Sequence, residues 1–260
     1  MHLQGREVIS IKTPAEIEAI REACRIVVGA FRAIEPLMVP GTPTLRIDEA
    51  VEKYIRGQGG RPAFKGYPNP EGKPFPASAC VSVEEEVVHG IPDGRPLKAG
   101  QIVGVDIGVE KDGFFGDAAI TFAIGRVDGL RQRLMRATRE ALMRGIAKAR
   151  AGNRLSDVSH AIEEHVASHS FSVVRELVGH GVGRELHEEP PIPNFGAPGR
   201  GPVMQENMVL AIEPMVNAGT GEVDTIGEWR VVSRDRMPSA HFEHTIVIKK
   251  GAPDILTASR

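Results

Sequence analysis

The stretch Val103-Gly104-Val105-Asp106-Ile107-Gly108-Val109-Glu110-Lys111-Asp112-Gly113-Phe114-Phe115-Gly116-Asp117-Ala118-Ala119 decides the fold. It reads as two strands, Gln101 to Glu110 and Phe114 to Ile124, joined at Lys111-Asp112-Gly113. Asp-Gly between apolar runs is a hairpin signal. Each strand carries one carboxylate in an apolar or glycine-bounded setting, Asp106 and Asp117. A tight antiparallel pair brings such positions within several Å. Buried charges persist only when paired, hydrogen-bonded or bound to metal.

Three further residues share that character. Glu213 ends the run Leu210-Ala211-Ile212, and Glu243 precedes Ile246-Val247-Ile248. His180 lies in Val178-Gly179-His180-Gly181-Val182-Gly183, where glycines let the backbone approach closely. Singly, each reads as an edge, turn or loop feature. Together, four carboxylates would repel and some would protonate unless cations held them. The economical reading is a pair of divalent metal ions. Its ligands would be Asp106, Asp117, His180, Glu213 and Glu243. An oxygen-rich set with one nitrogen favours Mn, Fe(II) or Co over a thiolate-type zinc site.

Composition narrows the class. The chain has 260 residues, 41% of them hydrophobic, a net charge of -2 and a pI near 6.5. No basic stripe points to nucleic acid. No run of about 18 apolar residues would span a bilayer. Met1 to Thr13 lacks the apolar region of a signal peptide. Cys24 and Cys80 form no CxxC, which fits a reducing cytosol and a cytoplasmic protein. No G-K-[ST] follows Gly183, His187-Glu188-Glu189-Pro190 is not H-E-x-x-H, and no G-x-S-x-G occurs.

Outward from the hairpin, helices alternate with strands. Thr13-Pro14-Ala15-Glu16 is a capping box that opens a helix running to about Met38. A second helix runs from Thr44 towards Arg56. A third spans Leu130 to Ala151, and a fourth starts at a Ser156 cap. Gly57 to Pro76 reads as a long loop, and long loops are often functional. Short strands are expected at Val81 to Val83, Val173-Val174, Met208 to Ile212, Arg230 to Ser233 and His244 to Ile248. Gly41 to Ile55 aligns without gaps on Gly152 to Val166, pairing Ile47 with Val158 and Val51 with Ile162. The expectation is one domain over residues 1–260 with pseudo-symmetric halves, about 12–125 and 126–255, and a site between them.

From Lys12 to Ile255 the chain resembles type I methionine aminopeptidases of the pita-bread fold. The resemblance is carried by Cys80-Val81-Ser82-Val83, Glu86 to Pro92, Lys111 to Asp117, Gly179 to Gly183, His187 to Pro190, Ile212 to Val216 and Glu243-His244-Thr245. It implies an α+β fold in which antiparallel sheet has a pseudo-two-fold arrangement and helices cover its outer face. It also implies a metal-dependent hydrolase that removes the initiator methionine of nascent polypeptides when the second residue is small. Asp106, Asp117, His180, Glu213 and Glu243 match the family's dinuclear ligands, which accept Co, Mn, Fe(II) or Zn. Glu213 matches the proton shuttle, His187 the oxyanion partner, and His89 the group on the peptide-nitrogen side. Tyr67, Phe75, Cys80 and Trp229 match the methionine pocket, with Phe64 a looser candidate. The chain departs from the family in the Asn69 to Lys73 insertion and in Leu186, where many members carry an aromatic residue. No zinc-finger extension precedes the first helix. A monomer acting near the ribosome is expected, with no nucleic-acid or membrane partner. The competing readings are an Xaa-Pro peptidase of the same fold, whose members usually carry a large N-terminal domain, and a pita-bread binding protein that has lost its ligands.

Overall fold

A computed structural model of the chain describes residues 9–70 and 72–258. Residues 1–8, on which the reading against a signal peptide rests, lie outside the described residues, as do Glu71 of the insertion and residues 259–260. The helices are α1 (Pro14–Ile34), α2 (Thr44–Gly57), α3 (Gly129–Lys148) and α4 (Leu155–Ser168). Among the described residues, no helix is long and apolar enough to cross a membrane.

Local chemistry sets the helix ends. Thr13 Oγ1 accepts from the Glu16 amide, and the Glu16 carboxylate accepts from the Thr13 amide at 2.9 Å, as the capping box requires. α1 stops at Ile34, short of the expected Met38. Pro36 has no N–H for a helical bond, and the chain tightens into the 3-10 turn Glu35–Leu37. α3 stops at Lys148 rather than Ala151, because the Ala151 amide donates to the Lys249 carbonyl at 3.0 Å. α4 starts at Leu155, and Ser156 is not its cap. Asp157 Oδ2 accepts from the Arg154 amide at 2.9 Å, while Ser156 Oγ accepts from the Arg200 amide at 2.6 Å.

The hairpin forms between strands Ile102–Lys111 and Phe114–Ala123. Its turn residues Asp112 and Gly113 both have positive φ, 51° and 82°, which is why Asp-Gly stands there. Alternation then sorts the faces. Val103, Val105, Ile107 and Val109 are fully buried and pack with Val27, Ile34, Ile47 and Val51 of α1 and α2. Burying each such side chain contributes about 1.5–3 kcal/mol. Gly104, Asp106 and Gly108 face the other way. Asp106 pairs with Ala119 and Gly108 with Asp117, so the two aspartates are diagonal neighbours on one face. Strand Cys80–Val83 pairs on the far side of the same strand, with Cys80 opposite Asp106. The segment 57–76 is not structureless: Arg61–Pro62 pairs with Val109 and Glu110.

A second sheet runs in the order Asp254–Ile255, His244–Val247, Val209–Ile212, Gly179–Gly181, Glu188–Ile192. Ile212 pairs with His244, so Glu213 and Glu243 occupy the next opposed positions. Leu210, Ile212 and Ile246 pack with α3 and α4 residues such as Leu142, Val158 and Ile162. Two three-stranded sheets complete the fold. One joins Ser239–His241, Met215–Asn217 and Ser172–Val173; the other joins Val223–Ile226, Arg230–Ser233 and Glu86–Val88. The architecture is α+β, with antiparallel sheets under outer helices.

Candidate metal centre

Asp106, Asp117, His180, Glu213 and Glu243 line one cavity of about 190 Å³. The two sheets meet there. The Glu243 amide donates to the Ala119 carbonyl at 2.9 Å, and Thr245 Oγ1 donates to the Asp117 carbonyl at 2.7 Å. These bonds stitch the strand that carries Asp117 to the one that follows Glu243. Ligand atoms of Asp117, His180 and Glu243 lie within 4.8 Å of one another. His180 Nδ1 donates to the Gly181 carbonyl at 2.9 Å, and its Nε2 stands 3.4 Å from Glu213 Oε1. A backbone acceptor on one ring nitrogen fixes the tautomer and frees the other for a cation. The flanking glycines are required by crowding. A Cβ on Gly179 would meet the Ala211 carbonyl oxygen at 2.4 Å, and one on Gly181 the Glu189 carbonyl oxygen at 2.3 Å.

The electrostatics call for positive charge. Asp106 Oδ1, Asp117 Oδ1 and Glu243 Oε1 are buried without a hydrogen-bond partner. Burial pushes Asp106 up to about 7, with His241 opposing and Glu213 adding. Burial also pushes Glu213 up to about 7, with His180 opposing. Asp117 and Glu243 are raised well above the ordinary carboxylate range, first by burial and then by their carboxylate neighbours. Orphaned carboxylate oxygens converging beside a free imidazole nitrogen fit divalent cations, which would satisfy the oxygens and hold every carboxylate charged.

The remaining predicted residues line the same cavity. Phe64, Tyr67, Phe75, Cys80, Leu186 and Trp229 form an apolar wall. Leu186, the departure from the family's usual aromatic residue, is buried in that wall. Gly108 makes room for Phe64, because a Cβ there would meet the Phe64 ring at 2.6 Å. Phe75 and Trp229 meet edge to face with centroids 5.2 Å apart. The insertion is tied down: Trp229 Nε1 donates to the Lys73 carbonyl at 2.9 Å, and Asn69 Nδ2 to the Glu228 carbonyl at 3.0 Å. His89 and His187 line the same cavity, His89 edge to face with Trp229 and His187 between Tyr67 and His180. Burial, then the charge of His241, pushes His89 down to about 4. Burial, then His180 and His89, pushes His187 down to about 3. Both rings are therefore neutral near pH 7.

One buried neighbour escaped the sequence reading. His241 Nε2 lies 3.5 Å from Glu213 Oε2 and has no hydrogen-bond partner. His241 is two residues before Glu243, and that extended spacing, which puts both on one face, was the available signal. Val88, Leu177, Val178 and Met215 also line the cavity, but as ordinary apolar residues they gave no signal.

A protein from Bacillus subtilis named methionine aminopeptidase 1 is 47% identical over 250 residues, covering 96% of this chain and 99% of that protein. The crystal structure of a methionine aminopeptidase from Thermotoga maritima superposes with a TM-score of 0.93 at 45% identity, covering 97% of this chain and all of that one. A prolidase from Pyrococcus furiosus shares the pita-bread fold at a TM-score of 0.78 and 22% identity, but this chain covers only 66% of it. The model of metallopeptidase family M24 matches residues 18–250, a span that includes every residue of the acidic floor. By that match and those identities, the chain belongs to metallopeptidase family M24.

Proposed function

We propose that this protein is a metal-dependent methionine aminopeptidase that removes the initiator methionine from new polypeptides when the second residue is small. The observation that carries this reading is a single cavity pairing an acidic floor of orphaned carboxylates with a sulfur- and aromatic-lined wall. A thioether side chain suits such a wall, because sulfur makes favourable contacts with aromatic rings.

Two divalent ions would be held by Asp106, Asp117, His180, Glu213 and Glu243, which line the floor of the cavity. When bound, such ions polarise a scissile carbonyl and acidify the attacking water. Glu213 accepts the water's proton and passes it to the leaving amine. His187 donates to the oxygen that becomes negative at the scissile carbon. Tyr67 orients that ring: its hydroxyl lies 2.7 Å from His187 Nδ1 and, by donating there, leaves the His187 proton on Nε2. His89 holds the peptide-nitrogen side. Tyr67, Phe75, Cys80 and Trp229 enclose the methionine side chain and exclude water from it.

The same reading takes residues 1–260 as one catalytic domain with related halves at about 12–125 and 126–255. Each half supplies one pair of carboxylates. The protein acts as a monomer in the cytoplasm, on nascent chains near the ribosome.

The test is metal-dependent release of the first residue from Met-Gly-Met, Met-Phe-Met and an Xaa-Pro peptide. Met-Gly-Met is expected to be cleaved with the highest kcat/KM. A bulky second side chain displaces the scissile carbonyl, and small misplacements cost about a hundredfold in rate. Preferential cleavage of the Xaa-Pro peptide would replace this reading with the proline-directed one. No metal-dependent release from any of the three would leave a non-catalytic binding protein.

A further inference from the structure

Away from the cavity, Glu140 of α3 meets His165 of α4 and His169, which caps the C-terminal end of α4. The two histidines are four residues apart, so they share one side of the helix. Their rings lie 4.4 Å apart between centroids, inclined at 55°. One ligand atom from each of the three residues falls within 4.8 Å of the others.

Three details separate this cluster from a chance polar contact. His165 is 7% exposed, yet its Nε2 has no hydrogen-bond partner. A buried ring nitrogen left in that state costs stability unless something engages it. Glu140 Oε2 is 3.2 Å from that nitrogen but outside hydrogen-bonding geometry. Two ligand atoms bound about 2.0–2.1 Å from a tetrahedral zinc ion are roughly 3.3 Å apart, the separation found here. Finally, His169 Nδ1 donates to the His165 carbonyl at 2.9 Å, so its Nε2 carries a free lone pair. A backbone acceptor behind the ring is the usual arrangement for a metal-binding histidine.

We propose that Glu140, His165 and His169 form a second metal site, joining α3 to α4, for a late divalent transition metal of the zinc class. Two imidazoles and one carboxylate suit Zn, Cu or Ni and are poor ligands for Mg or Ca. Glu140 is half-exposed, which leaves a fourth position for water. Burial, then the charges of Arg144 and His169, pushes His165 down, with the Glu140 carboxylate opposing, and on balance favours the neutral ring that can act as a ligand.

The test is zinc bound per chain after equilibrium dialysis of the metal-loaded protein, compared between wild type and His169→Ala. His169 lies at a helix end, away from the cavity, so peptidase activity and the circular-dichroism spectrum are expected to stay unchanged. The expected result is the loss of one zinc equivalent in His169→Ala and the same loss in Glu140→Gln. Zinc should also shift the imidazole nitrogen resonances of His165 and His169 in wild-type protein. Equal zinc content in all three proteins, or unmoved His165 and His169 resonances, would overturn the proposal. Neither readout depends on which peptide the cavity cleaves.

Discussion

The Tyr67 hydroxyl lies 2.7 Å from Nδ1 of His187, and the two rings meet edge to face with centroids 5.2 Å apart. A residue of the insertion-bearing loop thus contacts the ring of a histidine 120 positions away. His187→Ala is expected to lower kcat by about two orders of magnitude, as losing one oxyanion donor does. Tyr67→Phe removes only the orienting bond and should lower kcat by about five- to tenfold. Metal content should stay normal in both, by elemental analysis. Loss of metal from His187→Ala would make that residue a ligand and remove its assigned role.

Asp117 is 3% exposed and sits where the two sheets are stitched together. Asp117→Asn keeps the side-chain volume but removes a charge that would hold a cation. Activity and bound metal should both fall to near background, with the thermal transition still cooperative. Full activity at saturating metal would rule out Asp117 as a metal ligand.

Stability of the chelated protein should depend on pH in a stated direction. Asp106 and Glu213 each titrate near 7 in the fold, above ordinary carboxylate values. A group whose folded pKa is raised contributes stability that is present at low pH and lost as pH rises through the folded value. His89 and His187 are depressed to about 4 and about 3, and so act in the opposite direction, but only below their ordinary 6.5. From pH 6.5 to 8 the carboxylates therefore act alone. The Tm of EDTA-treated protein should fall by several degrees over that interval, and added Mn²⁺ should restore most at pH 8. A flat profile in calorimetry would contradict the shifts.

Asp48 of α2 holds the start of the pocket strand: its Oδ1 accepts from the amides of Ser78 at 2.7 Å and Ala79 at 2.9 Å. Asp48→Ala leaves both amides unpaired in the interior, at about 1–3 kcal/mol each. Thermal melts should show a drop of roughly 2–4 °C per kcal/mol. Asp48→Asn keeps an acceptor and should recover most of the loss. Equal stability of the alanine variant and wild type would remove this anchor.

The acidic floor was legible in the sequence because a carboxylate inside Val-Gly-Val-Asp106-Ile or Ala-Ile-Glu213 has no cheap apolar explanation. The hairpin was legible because Asp112-Gly113 meets a strict backbone demand. Strands such as Met215–Asn217 and Ser239–His241 were not, since three residues carry no measurable period. His241 was hidden by the same shortness. Asp48 was hidden by its helix, where an acidic residue reads as solvated surface until the amides of Ser78 and Ala79 are brought against it. The fourth helix starts early because Arg154 takes the cap position, its amide held by the Asp157 carboxylate three residues on, while the Ser156 hydroxyl is engaged by Arg200.

The bond from the Trp229 indole to the Lys73 carbonyl gives the pocket an economical route to new tastes. One wall of the apolar chamber is tied, through Trp229, to a surface loop apart in sequence from the acidic floor. Lengthening or trimming residues 69–73 would swing the indole and reshape the chamber, while the hydrolytic apparatus stayed still. Lineages could thus retune which first residue is read by insertion and deletion alone. An inhibitor wedged between Trp229 and that loop would discriminate among close relatives that share every catalytic side chain.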